Sequence, residues 1–240
     1  VLETHELDSA LASERGESPD TFTEQEHGCL ALADALVANC GGTLAAWQAA
    51  YGDRLPTQVA AIHNATAPDR ARAHQPPELP VVRYVGSLRA YKGLAEVLES
   101  ATDLPARLEL IGGTPEERES IPSNIDALPP VPYDLVPDLL AGSSALLLPL
   151  SNNLFGRQLS SPLKLWDYLA TQTPIVAADL PSIQEILTLT GAQAHLYTPG
   201  DAQTLVDAIA RALASTARQA VLRTWADRAR ELAPLLRGSP

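Results

Sequence analysis

The chain has 240 residues, 45% of them hydrophobic, enough to bury one full α/β core or two smaller ones. Its 17 Lys and Arg against 29 Asp and Glu leave a formal net charge of −12, which argues against nucleic acid or an anionic membrane surface as a partner. No apolar run approaches the ~20 residues that span a bilayer and no signal-peptide pattern is present, so a cytoplasmic location without indicated membrane contact is expected. Cys29 and Cys40 have neither disulfide-framework nor zinc spacing and are expected as reduced thiols in a core.

Along the chain, Val1-Leu-Glu-Thr-His5 reads as the end of a strand. The charged stretch 8–20, with Gly16 and Pro19, is expected to be a mobile loop. A helix over 22–33 follows, with Thr23 and Glu26 as a capping box. A strand over 36–39, a helix over 44–51 and a strand over 59–62 come next, and then a Pro-rich, charged stretch, 67–79, without apolar period, which reads as a linker. A second series begins at 81, with strands over 81–85, 108–111, 125–128, 145–148, 175–178 and 195–197 and closing helices over 202–214 and 217–236. This alternation predicts an α/β protein with a doubly wound parallel sheet, Rossmann-like.

The most informative stretch is 160–185, SSPLKLWDYLATQTPIVAADLPSIQE. Ser161-Pro162 reads as an N-cap with proline at the first helical position, followed by an apolar stripe of Leu163, Leu165, Trp166, Leu169 and Ala170. Lys164 and Asp167 share one helical face near the amino end, where free N–H groups and the macrodipole favour phosphate. A lysine there strengthens the attraction, and a carboxylate one turn on can accept from ribose or sugar hydroxyls. Gly86, after the first strand of the second series, and Gly112-Gly113, after the next, are turns that let backbone approach phosphate. Lys92 lies just past the first turn with Gly93 behind it, and Arg89 is nearby.

This stretch resembles the donor-binding segment of family-4 retaining glycosyltransferases, which have the two-Rossmann-domain (GT-B) architecture. Tyr84-Val-Gly-Ser-Leu88 with Tyr91-Lys92-Gly93, Leu108-Glu-Leu-Ile-Gly-Gly113, Ala145-Leu-Leu-Leu-Pro149 and Tyr197-Thr-Pro-Gly-Asp201 resemble further motifs of that family, in order, across about 80–230. The resemblance implies a partial amino-terminal, acceptor-side domain over 1–66, the linker at 67–79, a nucleotide-sugar-binding domain over 80–216, and a carboxyl-terminal helix, 217–240, returning toward the first domain. The chain, which lacks methionine, then looks like a fragment of a longer protein.

The implied reaction moves a sugar from a nucleoside-diphosphate sugar to a saccharide or lipid-linked acceptor with retention of anomeric configuration. By the resemblance, Gly86, Arg89, Lys92, Gly112, Gly113, Ser161, Leu163, Lys164 and Asp167 hold the donor, and His5 is the catalytic candidate. The family's arginine directly after the glycine aligned with Gly86 is Ser87 here, and the first of its paired acids falls on Leu159. That replacement favours an alternative, a catalytically inactive nucleotide-sugar-binding domain; a GT-B sugar-nucleotide epimerase fits the motifs less well. No Asp-x-Asp pair or His/Cys/carboxylate cluster has ligand spacing, so no metal and no cofactor beyond the sugar nucleotide substrate is expected.

Overall fold

The computed structural model describes residues 1–89 and 92–236; Tyr91 and the end of the expected 217–240 stretch lie outside them. The chain divides into two compact units. The first comprises Val1–Ala65, Asn153–Pro162 and the stretch from Thr224 on; the second comprises Thr66–Asn152 and Leu163–Arg223.

The first unit holds a parallel sheet of β1 (Leu2–Thr4), β2 (Ala35–Ala38) and β3 (Gln58–Ala61), in that order. Central β2, Ala-Leu-Val-Ala, is buried throughout, as a parallel strand covered on both faces must be. Helices α1 (Asp8–Glu14), α2 (Asp20–Ala31) and α3 (Gly41–Tyr51) pack around Leu7, Leu30, Leu36, Trp47, Tyr51 and Leu159. The expected mobile loop at 8–20 is therefore corrected. Leu7 and Ala12 are buried, and the Ser9 amide donates to Glu26 Oε1 at 3.0 Å, which ties α1 to α2. The expected capping box is corrected with it. Because α2 starts at Asp20, Thr23 lies inside the first turn and donates to the Pro19 carbonyl (3.0 Å). Glu26 turns inward instead and accepts from Ser9 and the Tyr51 hydroxyl. Cys40 is buried and its Sγ accepts from the Thr43 amide at the start of α3, whereas Cys29 is exposed on α2, against expectation for that thiol.

The second unit holds a six-stranded parallel sheet, β6-β5-β4-β7-β8-β9. Its strands are β4 (Val81–Val85), β5 (Arg107–Ile111), β6 (Asp126–Leu128), β7 (Ala145–Leu148), β8 (Ile175–Ala178) and β9 (His195–Tyr197). The chain winds outward from β4 to β6, then crosses back to β7 on the other side of β4. The strand order reverses there, and the carboxyl ends of strands at such a switch point are where open α/β sheets bind ligands. Helices α4 (Ala95–Glu99), α5 (Pro115–Glu119), α6 (Val136–Ala141), α7 (Leu163–Ala170) and α8 (Pro181–Thr190) connect the strands, and α9 (Ala202–Ala214) follows β9. Both β7 and β8 are buried at every residue, and α7 turns Leu165, Trp166 and Leu169 into the same core. Asp201 caps α9, accepting from the amides of Gln203 and Thr204.

Two boundaries differ from expectation for identifiable reasons. The last helix, α10 (Trp225–Leu236), starts later than 217. Thr224 and Asp227 form a reciprocal cap: the Thr224 amide donates to the Asp227 carboxylate (2.7 Å) and the Asp227 amide to the Thr224 hydroxyl (3.3 Å). Before it, the amides of Arg218 and Val221 bond to the carbonyls of Gln172 and Leu169 in the second unit. The stretch expected to be a linker is also fastened to that unit. Arg70 is only 2% exposed; its guanidinium lies 3.5 Å from the centre of the Tyr133 ring and donates to the Tyr133 carbonyl (2.8 Å). Replacing Tyr133 by alanine removes the stacked ring and is expected to cost about 1–2 kcal/mol, read as a fall of a few degrees in melting temperature.

Candidate functional site

In the second unit the turns after β4 and β5 converge. The Gly86 amide donates to the Ile111 carbonyl (2.8 Å), and the Gly112 amide to that of Leu128 (2.9 Å). Gly112 has φ +129°, and a Cβ there would fall on the Gly86 carbonyl oxygen, so close backbone approach demands glycine at this position. A Cβ on Gly86 would meet the Lys164 ammonium. These turns border a cavity of about 340 Å³, whose apolar walls include Val85, Ile111, Val131 and Val136 and whose rim carries Arg89, Gly113 and Glu117.

Glu117 organises this rim. It is the third residue of α5, in a capping box with Thr114. Its carboxylate accepts from the amides of Leu88 (3.1 Å) and Thr114 (3.2 Å) and pairs with Arg89 Nε at 3.2 Å. The Leu88 amide, with Thr114 and Arg89, holds its carboxyl below the ordinary value against some desolvation. Neither Glu117 nor Tyr84 was singled out by the sequence. Thr114-Pro-Glu-Glu117 is a capping-box signature that identifies Glu117; Tyr84, inside an apolar strand, carries no comparable signal.

Lys164 lies in the first turn of α7, half-buried, and its ammonium approaches the Gly86 turn. It donates to the Tyr84 hydroxyl at 2.6 Å and lies 4.0 Å from that ring's centre; Tyr84 in turn donates to the Ser87 carbonyl (2.7 Å). Burial, and then the positive charge of Lys92, pull its pKa down from 10.5 to about 7. Among the described residues, no carboxylate pairs with Lys164. Two lysines thus face each other electrostatically at the switch-point end of the sheet. Gly93, which follows Lys92, has φ +74°, and a Cβ there would come within 2.7–2.9 Å of the backbone of Leu150 and Ser151. Close packing of the Lys92 turn against the chain leaving β7 therefore requires this glycine.

Asp167, one turn further along α7, is half-buried and accepts from the Thr66 hydroxyl. Burial raises its pKa, while the Thr66 hydrogen bond and the Arg70 charge lower it. Leu163, the first residue of α7, is 54% exposed. Ser161 counts with the first unit and is buried: its hydroxyl lies 3.3 Å from His63 Nδ1, and its carbonyl accepts from Asn64 Nδ2 (2.8 Å). The helix itself is described from Leu163, two residues after it. In the first unit His5 follows β1, its Nε2 3.1 Å from Glu3 Oε1, at a separate cavity of about 330 Å³ that Phe22 and Trp47 also line. Glu3 also accepts from Arg228 (2.7 Å). Leu159, at the position where the resemblance places an acid, is fully buried in the core of that unit.

The expected set is thus distributed. Gly86, Arg89, Gly112 and Gly113 line one cavity; Lys164 reaches the Gly86 turn and senses Lys92; Asp167 is held by Thr66; Ser161 and His5 belong to the other unit. Among the described residues, no group of three His, Cys, Asp or Glu is placed to hold a metal ion, and no helix is long and apolar enough to cross a membrane.

Comparison with curated proteins gives no match. Among solved structures, the chain is similar to the sucrose-phosphate synthase of Thermosynechococcus elongatus, with 20% identity over 98% of this chain and 66% of that one and a TM-score of 0.75. It is similar to Anabaena HepE, solved in complex with UDP and glucose, with 17% identity over 99% of this chain and 71% of that one and a TM-score of 0.65. A UDP-forming α,α-trehalose-phosphate synthase of Burkholderia vietnamiensis gives 18% identity over 90% of this chain and 58% of that one, with a TM-score of 0.60. The chain therefore spans less than two thirds of the length of the two synthases. These likenesses show the fold, α/β with parallel sheets, as in GT-B glycosyltransferase structures. The family described as "Glycosyl transferases group 1" matches residues 79–215, more than half of the sequence, and the chain belongs to that family.

Proposed function

We propose that this chain binds a nucleoside-diphosphate sugar and belongs to a retaining glycosyltransferase acting on a saccharide or lipid-linked acceptor. One observation carries the reading: the Lys164 ammonium, half-buried beside the Gly86 turn, feels the charge of Lys92 and pairs with no carboxylate among the described residues. A cation held away from water near a second positive charge is disfavoured and becomes favoured once a diphosphate neutralises it. The 340 Å³ cavity beside the turn, apolar-walled and rimmed by Arg89, is of a size to take the base. The UDP in the HepE complex and the UDP-forming synthase make uridine the first base to test. Asp167 is assigned to the ribose hydroxyls.

In the reaction, the acceptor hydroxyl oxygen forms a bond to the anomeric carbon as the bond from that carbon to the diphosphate oxygen breaks. The diphosphate leaves with the electron pair and takes up the acceptor proton on the same face, so the configuration is retained. Lys92 and Lys164 stabilise the charge that grows on the leaving oxygens, which is the term that benefits most from prearranged cations. No metal is needed for that task. His5 is assigned the catalytic role that the resemblance implies, a hydrogen bond to the donor sugar.

The test is calorimetric titration with UDP, GDP, ADP, UMP and uridine. One nucleoside diphosphate is expected to bind at least tenfold more tightly than its monophosphate; equal affinity for UDP, UMP and uridine would remove the diphosphate from the account. Affinity for that diphosphate is also pH-dependent with a defined sign. Anions favour charged Lys164, whose pKa in the unliganded protein is about 7. Affinity is therefore flat between about pH 6, above which the last phosphate proton of the nucleotide is lost, and about 7, and falls as pH rises further, by up to about tenfold per unit.

A specific observation favours a second reading, a binding domain without turnover. Leu159, where the resemblance places an acid, is packed in the core and cannot touch a sugar. Tight nucleotide binding with no transfer or donor hydrolysis by the protein would establish it.

A further inference from the structure

A cavity of about 620 Å³ in the second unit lies at the amino-terminal edge of the sheet, opposite the strand ends described above. Pro174 and Ile175 at the start of β8, and His195 and Leu196 of β9, form its floor. The last turn of α8 and the segment following α9 form its walls. Its volume is in the range of small-molecule sites.

Charge decides what it can take. None of its lining residues among those described is acidic, in a chain with 29 Asp and Glu. Its one arginine is largely committed: Arg218 donates from Nε to the Thr173 carbonyl (3.1 Å), from Nη1 to that of Gln219 (2.8 Å) and from Nη2 to that of Tyr168, three of its five N–H groups. His195 is kept neutral near pH 7 by burial and by the charge of Arg211, itself bonded to the Leu196 carbonyl (3.1 Å). Helices α8 and α9 both end at this cavity, at Thr190 and Ala214, and helix carboxyl ends repel anions. Those terms oppose a phosphate or carboxylate; the Arg218 guanidinium keeps its positive charge, but three of its N–H groups are already committed to backbone carbonyls.

What remains is a set of uncharged hydrogen-bonding side chains over an apolar floor. Thr188, Gln193 and Thr216 hydrogen-bond through their side chains to no other described residue, and Leu196, with the edge of the mostly buried Leu187, supplies the apolar surface. Hydroxyls and an amide above aliphatic carbon match a pyranose ring, which presents C–H on its faces and hydroxyls on its edge. We propose that this cavity is a second ligand site, for a neutral saccharide unit, separate from the donor site and independent of it.

The test follows the His195 imidazole resonances by NMR in the intact protein, with UDP held in excess throughout so that the donor site does not respond. Glucose, galactose, sucrose and glucose 6-phosphate are each titrated to about 200 mM, covering the weak millimolar range. At least one neutral sugar is expected to shift His195 saturably, with Kd on the order of 1–10 mM. Gln193→Ala combined with Thr216→Val changes two exposed side chains, so folding is not at stake, and is expected to weaken that response roughly fivefold or more. A linear drift with every sugar, an unchanged affinity in the double variant, or tighter binding of glucose 6-phosphate than of glucose would each overturn the proposal. Because the reporter lies at the other end of the sheet, failure here is distinct from failure of UDP to bind.

Discussion

Replacing Lys164 by methionine is expected to lower donor turnover by roughly 10²–10³-fold and to raise the melting temperature of the unliganded protein. Methionine keeps the aliphatic stem packed against Tyr84 and removes the buried cation. The pKa of Lys164 is 10.5 in the unfolded chain and about 7 in the folded one, so folding carries a penalty for its charge. The penalty is fully present below pH 7 and fades as pH rises toward 10.5, because above 7 the folded state releases the proton at no further cost. Allowing for the solvent that still reaches a half-buried side chain, it amounts to roughly 1–3 kcal/mol, less the hydrogen bond to Tyr84. The variant is therefore expected to melt a few degrees higher at pH 6–7, with the gap closing by about pH 10. Scanning calorimetry across that pH range, beside donor kinetics, checks both halves. A variant that melts lower at neutral pH would make Lys164 a structural cation.

Gly112→Ala has the second large effect. The residue has φ +129°, which side-chain-bearing residues rarely adopt, and the added methyl would fall on the carbonyl oxygen of Gly86. Backbone cannot give way as a side-chain tip can, so the two turns must separate. A stability loss of about 2–4 kcal/mol is expected, a fall in melting temperature of roughly 5–15 °C. Because Lys164 approaches the same Gly86 turn, nucleotide affinity should fall more than tenfold even where the variant remains folded. Gly191→Ala serves as the comparison, since φ there is also positive (+65°) but nothing lies within 4 Å of an added Cβ. It should lose stability without losing nucleotide affinity. Equal affinity losses in the two variants would mean that the Gly86–Gly112 approach has no special part in binding.

The second unit was largely legible because buried parallel strands are nearly continuous apolar runs. β4, β7, β8 and β9 fall where the sequence places them, and so does α9 behind its Asp201 cap. The first unit was harder, since its organising contacts are polar and long-range. Nothing near Ser9 shows that its amide will bond Glu26, and without that bond α1 reads as a charged loop. The same holds for Arg70, whose burial depends on Tyr133, 63 positions away. At the site, glycine turns and lysines could be read from local pattern. Tyr84 and Thr66 could not, because they matter only through residues about 80 and 101 positions away, Lys164 and Asp167.

The claim on which the rest depends is that an anion converts Lys164 from a poorly tolerated charge into a wanted one. Proton uptake on binding reads this directly. The measurement is titration of nucleoside diphosphate into the protein at pH 8, in buffers of differing ionisation enthalpy. At that pH the nucleotide phosphates, with a last pKa near 6, are already deprotonated, whereas Lys164 in the unliganded protein is mostly neutral. Uptake approaching one proton per nucleotide is expected, disappearing in Lys164→Met. Binding that is tight yet independent of buffer would contradict the account.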